Sequence, residues 1–380
     1  MNGLATAYLD EFRRIFRLKP AFSTLIVAAL IYAVFYPQPY LNEALRDVPV
    51  AVVDQDRTDS SRQFARLLDA TPDVAVAEVL PDLPSAQHEV FTRAISGIVV
   101  IPQHFERELL HGRPSPVALY GDASYFLIYS RVSGAVSAVA QTLGAQVEVS
   151  RLIARGIDPP IAEAAADPLP LVAVPLFNPQ GGYATYILPA AFVLLVQQML
   201  LIGTGLLNTL PGARSEHRKA EDRPGPAATV IGKALAHLSL EAVIIPVYLI
   251  VLPYLYGVPR LGSVPAVLAM SVPFILAVSG LGFIVAAIFK KPLAVQLAMA
   301  AMGLPFMFLA GFSWPIEAIP KAVQIASVLL PSTSAIDGIV RVSQLGGSLA
   351  DVSRQFLTLW ALALIYGAIA VVIEMRRRAT

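Results

Sequence analysis

Lys233, His237 and Glu241 recur every four residues in an otherwise apolar run, which puts an ammonium, an imidazole and a carboxylate on one helix face. Titratable groups in series at membrane depth form a candidate proton relay, because ionisable side chains are costly there and persist for function. The favoured reading is plainer: Lys233 and His237 anchor at the interface, and Glu241 pairs with His237 against a neighbouring helix. Glu317–Lys321 and Asp337–Arg341 are four-residue pairs with the acid first, an order that suits a helical turn. They fit a gate whose charges are paired when closed, and equally short helices neutralised near the headgroups. Gln197 and Gln198 lie near the middle of another apolar run and either contact substrate or bond a neighbouring helix.

Other chemistries find no residues. Gly232-Lys233 is the nearest approach to a phosphate loop, but position 227 is Ala and Ala234 stands where Ser or Thr is needed. No His or carboxylate cluster has metal-ligand spacing, and no Ser–His–acid set can be assembled. Cysteine is absent, so thiolate sites and disulfides are excluded. The chain is expected to bind no cofactor and to be no enzyme by itself. Its energy must come from a partner or a gradient.

The elements that position these residues follow from composition. Over 380 residues the chain is 56% hydrophobic and 14% charged, with a mean hydropathy of +0.64. That is a polytopic helical membrane protein. Residues 1–19 read as an amphipathic helix on the membrane surface, with Leu4, Tyr8, Phe12, Ile15 and Phe16 on one face and Arg13, Arg14, Arg17 and Lys19 mostly on the other. Asp10 and Glu11 argue against a cleavable signal peptide. A first span is expected over 20–37, ended by Pro37 and Pro39.

Residues 38–182 break the apolar pattern. The β-type runs Val48–Val53, Val74–Leu80, Gly97–Ile101 and Pro116–Tyr120 alternate with helix-compatible stretches, which predicts an inserted α/β domain. A proline-free stretch predicts one long helix over 124–154, its apolar face packed on its own domain or on a second copy. Proline-rich residues 157–179 return the chain to the membrane as an extended tether. Further spans are expected at 183–207, within 234–312 as a group of three, and at 356–373, with a cytoplasmic loop at 208–233 and a basic tail to 380. Short connections on the side of both termini hold 14 Lys and Arg against 4 opposite. This places the termini in the cytoplasm and the inserted domain outside. Basic residues follow this topology and form no separate patch, so nucleic acid is not an expected partner.

Residues 313–355 complete the layout. They are apolar enough for a bilayer, yet Pro315, Pro320 and Pro331 with Gly338, Gly346 and Gly347 cut them into pieces too short to cross one. A re-entrant hairpin before the sixth helix is predicted, and such backbone usually lines or caps a pathway.

One span, a large external domain, then five spans with a broken hairpin before the last: this resembles the permease subunits of type 2 ATP-binding-cassette exporters. The specific residues are Gly311, Trp314-Pro315, Pro320, Leu330-Pro331, the hydroxyl run Ser332–Ser334, Asp337 and Arg341, with Asn178-Pro179 a weaker match. The resemblance implies a dimer of permeases in a bacterial cytoplasmic membrane. An ATPase partner would hold the ATP and Mg, and a periplasmic adaptor is a further partner. It also implies an external gate formed by Trp314, Pro315, Glu317, Pro320, Lys321, Pro331, Asp337 and Arg341. Gln197, Gln198 and Glu241 are the translocation-path candidates. Glu216, His217, Arg218, Lys219 and Glu221 are the implied ATPase contacts, although the Gly-Thr that usually follows this charge cluster is missing. The expected cargo is hydrophobic or amphipathic, since the spans carry few charges. The alternative is an ATP-independent receptor or assembly scaffold acting through the external domain. A proton-driven carrier ranks third, because the halves show no inverted repeat.

Overall fold

A computed structural model describes residues 3–42, 44–210 and 224–379. The chain forms two units, residues 44–174 and a second made of 1–43 with 175–380.

The second unit begins with α1 (Gly3–Arg17), whose most buried line is Ala7, Glu11 and Ile15. This differs from the expected stripe, of which only Ile15 is buried while Leu4 and Phe16 are exposed. The stripe's rings instead follow one another along the helix, Tyr8 stacked on Phe12 at 5.9 Å and Phe12 tilted against Phe16 at 5.3 Å, with Tyr8 half-buried and donating to Ser239 Oγ at 3.1 Å. Small Ala7 faces Gly232, where an added Cβ would lie 2.7 Å from the Ala7 Cβ and 2.9 Å from the Leu4 oxygen. Close helix approach therefore decides which face is buried. Leu18 takes an extended conformation and Pro20 starts the first apolar helix, α2 (Lys19–Tyr40).

The unit of residues 44–174 carries β1 (Val48–Asp54), α3 (Asp59–Asp69), β2 (Val74–Leu80), α4 (Leu83–Phe91), β3 (Gly97–Ile101), α5 (Phe105–Leu110), β4 (Ala118–Gly121), α6 (Phe126–Ala154) and α7 (Pro159–Ala166). Strand order is β2-β1-β3-β4; β1 runs parallel to β2 and β3, and β4 is antiparallel at the edge. Central β1 is apolar almost throughout because both sheet faces are covered. On one face Phe64 and Leu68 of α3 meet Val132, Val136, Val139 and Leu143 of α6 over Val50, Val52 and Val99. Ala86 of α4 covers Ala51, Val53 and Ile98 on the other. The long helix thus packs its apolar line on its own domain.

Asp54 ends β1 and organises the following turn. Its carboxylate accepts from the Asp56 and Arg57 amides at 3.0 and 2.8 Å and from Ser61 Oγ at 2.7 Å. That holds Arg57 in a left-handed conformation, φ 57°. Thr58 and Ser61 then form a capping box on α3.

The second unit resumes with α8 (Tyr183–Thr209), α9 (Pro226–Leu255), α10 (Val264–Phe289), α11 (Pro292–Leu309), α12 (Lys321–Ser327), α13 (Pro331–Ser343) and α14 (Ser353–Ala379). Among the described residues six helices are long and apolar enough to cross a membrane: α2, α8, α9, α10, α11 and α14. Several boundaries differ from expectation, two of them by more than a turn, and Pro159–Ala166 is a helix inside the stretch expected as an extended tether. Gly225 and Pro226 start α9 about two turns early, so Pro226–Lys233 is helix rather than loop. Residues 374–379 continue α14, supported by a Glu374–Arg378 pair at 2.9 Å. Small residues bring helices close: an added Cβ at Gly280 would lie 2.8 Å from Tyr366 Cβ of α14, and at Gly282 2.7 Å from Thr204 Cβ of α8.

Phe64→Ala empties a site that is 1% exposed in the α3–α6 core. It should cost the inserted domain about 3–5 kcal/mol. Hydrogen exchange should show faster exchange across β1 and β3 with protection of α8 and α10 unchanged.

Candidate functional site

The broken stretch before the last helix is built from two short pieces. The α12 helix has 7 residues and α13 has 13, and their axes are bent by 83°. At 1.5 Å per residue they measure roughly 10 and 20 Å, so neither crosses a hydrocarbon layer of about 30 Å. Both start at proline signals: Pro320 is the extended residue before α12, and Pro331 is the first residue of α13.

A helix leaves its first N–H groups and last carbonyls without partners. The residue before α13 is Leu330, which offers no side-chain cap, and Pro331 has no N–H to satisfy. The first amide in need is Ser332, and Gln197 of α8 meets it: Oε1 accepts from Ser332 N at 2.7 Å while Nε2 donates to Ser332 Oγ at 2.9 Å. Both residues are fully buried. At the other end Gln344 Nε2 donates to the Thr185 carbonyl of α8 at 2.8 Å. These ties lie twelve residues apart on each helix, 185 to 197 and 332 to 344. The two segments therefore run antiparallel and in register for about 18 Å.

The rest of α13 is held by its neighbours. Gly262, between α9 and α10, donates its amide to the Ser343 oxygen at 3.0 Å, and an added Cβ there would lie 1.5 Å from the Val342 oxygen. Only glycine fits that approach. Asp337 pairs with Arg341 Nε at 2.7 Å and accepts from Gln355 Nε2 of α14 at 2.5 Å. Tyr366 of α14 donates to the Leu329 carbonyl at the bend at 2.6 Å.

The other expected pair does not form. Glu317 lies in the short turn Ile316–Ala318 and Lys321 begins α12, with the extended residues Ile319 and Pro320 between them. Four-residue spacing aligns side chains only on a continuous helix. Both are exposed, and Gln324 holds the turn instead through the Ile316 and Ile319 carbonyls, each at 2.7 Å. Trp314 and Pro315 are exposed beside it. Gln198 donates to the Met299 carbonyl of α11, while its Oε1 is buried without a partner. Both glutamines thus bond neighbouring elements. Asn178 brackets Gly182, the residue before α8, donating to its carbonyl at 2.8 Å and accepting its amide at 2.9 Å.

A second cluster corrects the expectation for Lys233, His237 and Glu241. Glu241 is buried with Oε2 unpartnered and makes no pair with His237. The acid facing His237 comes from α1: Glu11 Oε1 lies 3.6 Å from His237 Nε2, and Glu11 Oε2 lies 2.7 Å from Arg14 and 3.9 Å from Lys233 Nζ. Lys233 also donates to Asn208 Oδ1 at 2.7 Å, and Arg14 to the Leu207 carbonyl at the end of α8. His237 is fully buried, and Lys233 beside it is 14% exposed. Burial alone would raise the Glu11 carboxyl; Lys233, His237 and Arg14 outweigh it and hold Glu11 down at about 2.

In the sequence Glu11 reads only as a charge that argues against a signal peptide. Its i−4 and i+4 neighbours, Ala7 and Ile15, were the available sign that it sits on the packed line. Glu216, His217, Arg218, Lys219 and Glu221 lie outside the described residues.

Glu11→Ala leaves Arg14 and Lys233 facing a buried gap beside His237 and should loosen α1 by about 3–5 kcal/mol, read as faster hydrogen exchange in residues 3–17. The carboxyl is depressed in the folded state, so its contribution is complete above the ordinary value of 4.5 and is lost as pH falls towards 2. Wild-type protection of α1 should therefore hold from neutral pH down to that range and then decline. Gln197→Leu strips the Ser332 amide of its acceptor in a buried site and should cost about 1–3 kcal/mol. Exchange at 331–335 should rise, with Gln197→Glu a weaker offender because it keeps an acceptor.

A family profile described as ABC-2 family transporter protein matches residues 21–372. The chain is 24% identical over 348 residues to the linearmycin resistance permease protein LnrN of Bacillus subtilis, covering 88% of this chain and 89% of that one. It is 23% identical over 375 residues to the inner membrane transport permease YhhJ of Escherichia coli, covering 95% and 93%. Against the probable multidrug ABC transporter permease YbhS of Escherichia coli it is 22% identical over 294 residues, covering 74% and 73%. With the profile running from the first apolar helix into the last, through the bent pair that α8 holds, the chain belongs to the ABC-2 transporter family.

Proposed function

We propose that this chain is the membrane-spanning permease subunit of an exporter that moves a hydrophobic or amphipathic substrate out across a bacterial cytoplasmic membrane. A separate ATPase subunit carrying ATP and Mg powers it, and two permease copies enclose the pathway. The observation that carries this reading is the α12–α13 pair, bent by 83° and fastened to α8 at both ends, immediately before the last apolar helix. Backbone that turns inside a bilayer needs protein partners, and side chains of α8 and α14 provide them at this break. In this reading the pair re-enters the membrane from outside and forms the external gate, with Trp314, Pro315, Pro320 and Lys321 at its rim. Residues 44–174 then face outwards, a placement that the excess of basic residues on the opposite connections supports. There they are placed to meet an adaptor protein.

Coupling would enter through residues 211–223, between α8 and α9. Both ends of that stretch are pinned. Arg14 and Lys233 hold Leu207 and Asn208 on one side. On the other, Arg378 donates to the Pro224 carbonyl at 2.6 Å. A displacement imposed there by an ATPase reaches α1, α9 and α14 together, and through α8 it reaches the capped end of α13. Few charges in the spans support a weakly charged cargo, and Gln198 and Glu241, each with a buried oxygen that has no partner, are candidates to contact it. The names of two similar proteins, a linearmycin resistance permease and a probable multidrug transporter permease, agree with efflux.

The test is affinity purification of the tagged protein from its native membrane, with wild type compared with Glu216→Ala/Glu221→Ala. An ATPase subunit should accompany the wild type and be lost from the double variant. Repeated recovery of external-side proteins with no ATPase, in several detergents, would replace the exporter with a scaffold acting through residues 44–174.

A further inference from the structure

We propose that residues 168–177 insert into the interfacial layer of the bilayer that the chain spans, as a lipid-binding wedge. The stretch reads PLPLVAVPLF, and its apolar side chains are among the most exposed in the chain: Leu169 88%, Leu171 90%, Val172 81%, Val174 70% and Leu176 70%. An apolar run this open to solvent calls for a covering surface.

Three observations make that surface lipid. No charged residue occurs between Asp167 and Arg214, so the stretch is continuous with α8 in its compatibility with a membrane. Phe177 precedes the first residue of α8 by six positions, which an extended chain covers in at most about 20 Å. The bilayer surface at that end of α8 is marked by tyrosines: Tyr40 lies 5.8 Å from Tyr183 and 5.9 Å from Tyr36, and Tyr183 lies 6.1 Å from Tyr186. Such rings gather at headgroup level.

The backbone favours lipid over a second protein chain. Pro168, Pro170 and Pro175 have no N–H, which lowers the number of donors to be satisfied away from water. Pro168 and Pro170 would fall on the same edge of an extended strand and delete successive ladder bonds, so pairing with a second copy is disfavoured. The remaining amides meet headgroup and water oxygens at the depth proposed, where full internal bonding is not required.

The chain contains no cysteine, so one introduced thiol carries one nitroxide. Leu171→Cys is labelled in the full-length protein in vesicles of phosphatidylethanolamine and phosphatidylglycerol, with Glu163→Cys in exposed α7 as the aqueous reference. Collision with oxygen should exceed collision with a water-soluble nickel chelate several-fold at position 171, with the order reversed at 163. Adding Val172→Asp to the labelled Leu171→Cys protein should raise nickel access several-fold. Equal nickel access at 171 and 163 overturns the proposal. So does spin–spin broadening at 171 that disappears on dilution with unlabelled protein, which would assign the stretch to a contact between copies. An unchanged nickel access after Val172→Asp overturns it as well.

Discussion

A helix leaves its first amides and last carbonyls without partners of its own, and the unit of apolar helices is arranged around that requirement at α13. Its first free amide goes to Gln197, its last turn to Gly262, and Gln344 ties its far end back to Thr185. Every partner lies outside α13, two of them on one helix. The register between α8 and α13 is therefore fixed by hydrogen bonds where apolar packing alone would allow sliding. Gln197 and Ser332 are fully buried, so water offers the bonds between them no ready substitute.

The same logic governs the charges. Glu11 is 1% exposed, and only the cations of α1 and α9 make its burial tolerable. Such a cluster adds little net stability compared with an apolar core, but it specifies one docking of α1, because no other rotation brings Arg14, Lys233 and His237 around one carboxylate. Arg14 also reaches the end of α8, the helix that carries Gln197. The two polar sites thus share one rigid element, with the charge cluster near its C-terminal end and the α13 ties along its earlier turns. That one helix therefore joins the surroundings of the charge cluster to the start of α13.

Close packing completes the arrangement. Gly232, Gly280 and Gly282 let α1, α14 and α8 approach α9 and α10 where a methyl group would collide. Association in lipid gains little from hydrophobic burial, so fit and hydrogen bonding decide which faces meet. The inserted domain follows water-based rules instead. Its parallel β1 is covered on both faces by α3, α6 and α4, and its turns are set by side-chain caps at Asp54 and Thr58.

The sequence by itself determined the apolar helices, the inserted strands and the interruption at Pro315, Pro320 and Pro331, because length, periodicity and proline act locally. It also determined the Asp337–Arg341 pair, which needs only one continuous helix. Tertiary structure decided everything that depended on a distant partner. Glu317 and Lys321 have the same spacing as Asp337 and Arg341, yet an extended Pro320 separates them. His237 meets Glu11 from the other end of the sequence rather than Glu241 one turn away. Gln197 became a helix cap and Gln198 a link to α11, roles that no periodicity encodes. Local pattern reports which face a residue lies on; which group that face meets is settled only when the helices pack, because polar bonds in lipid must close within the protein.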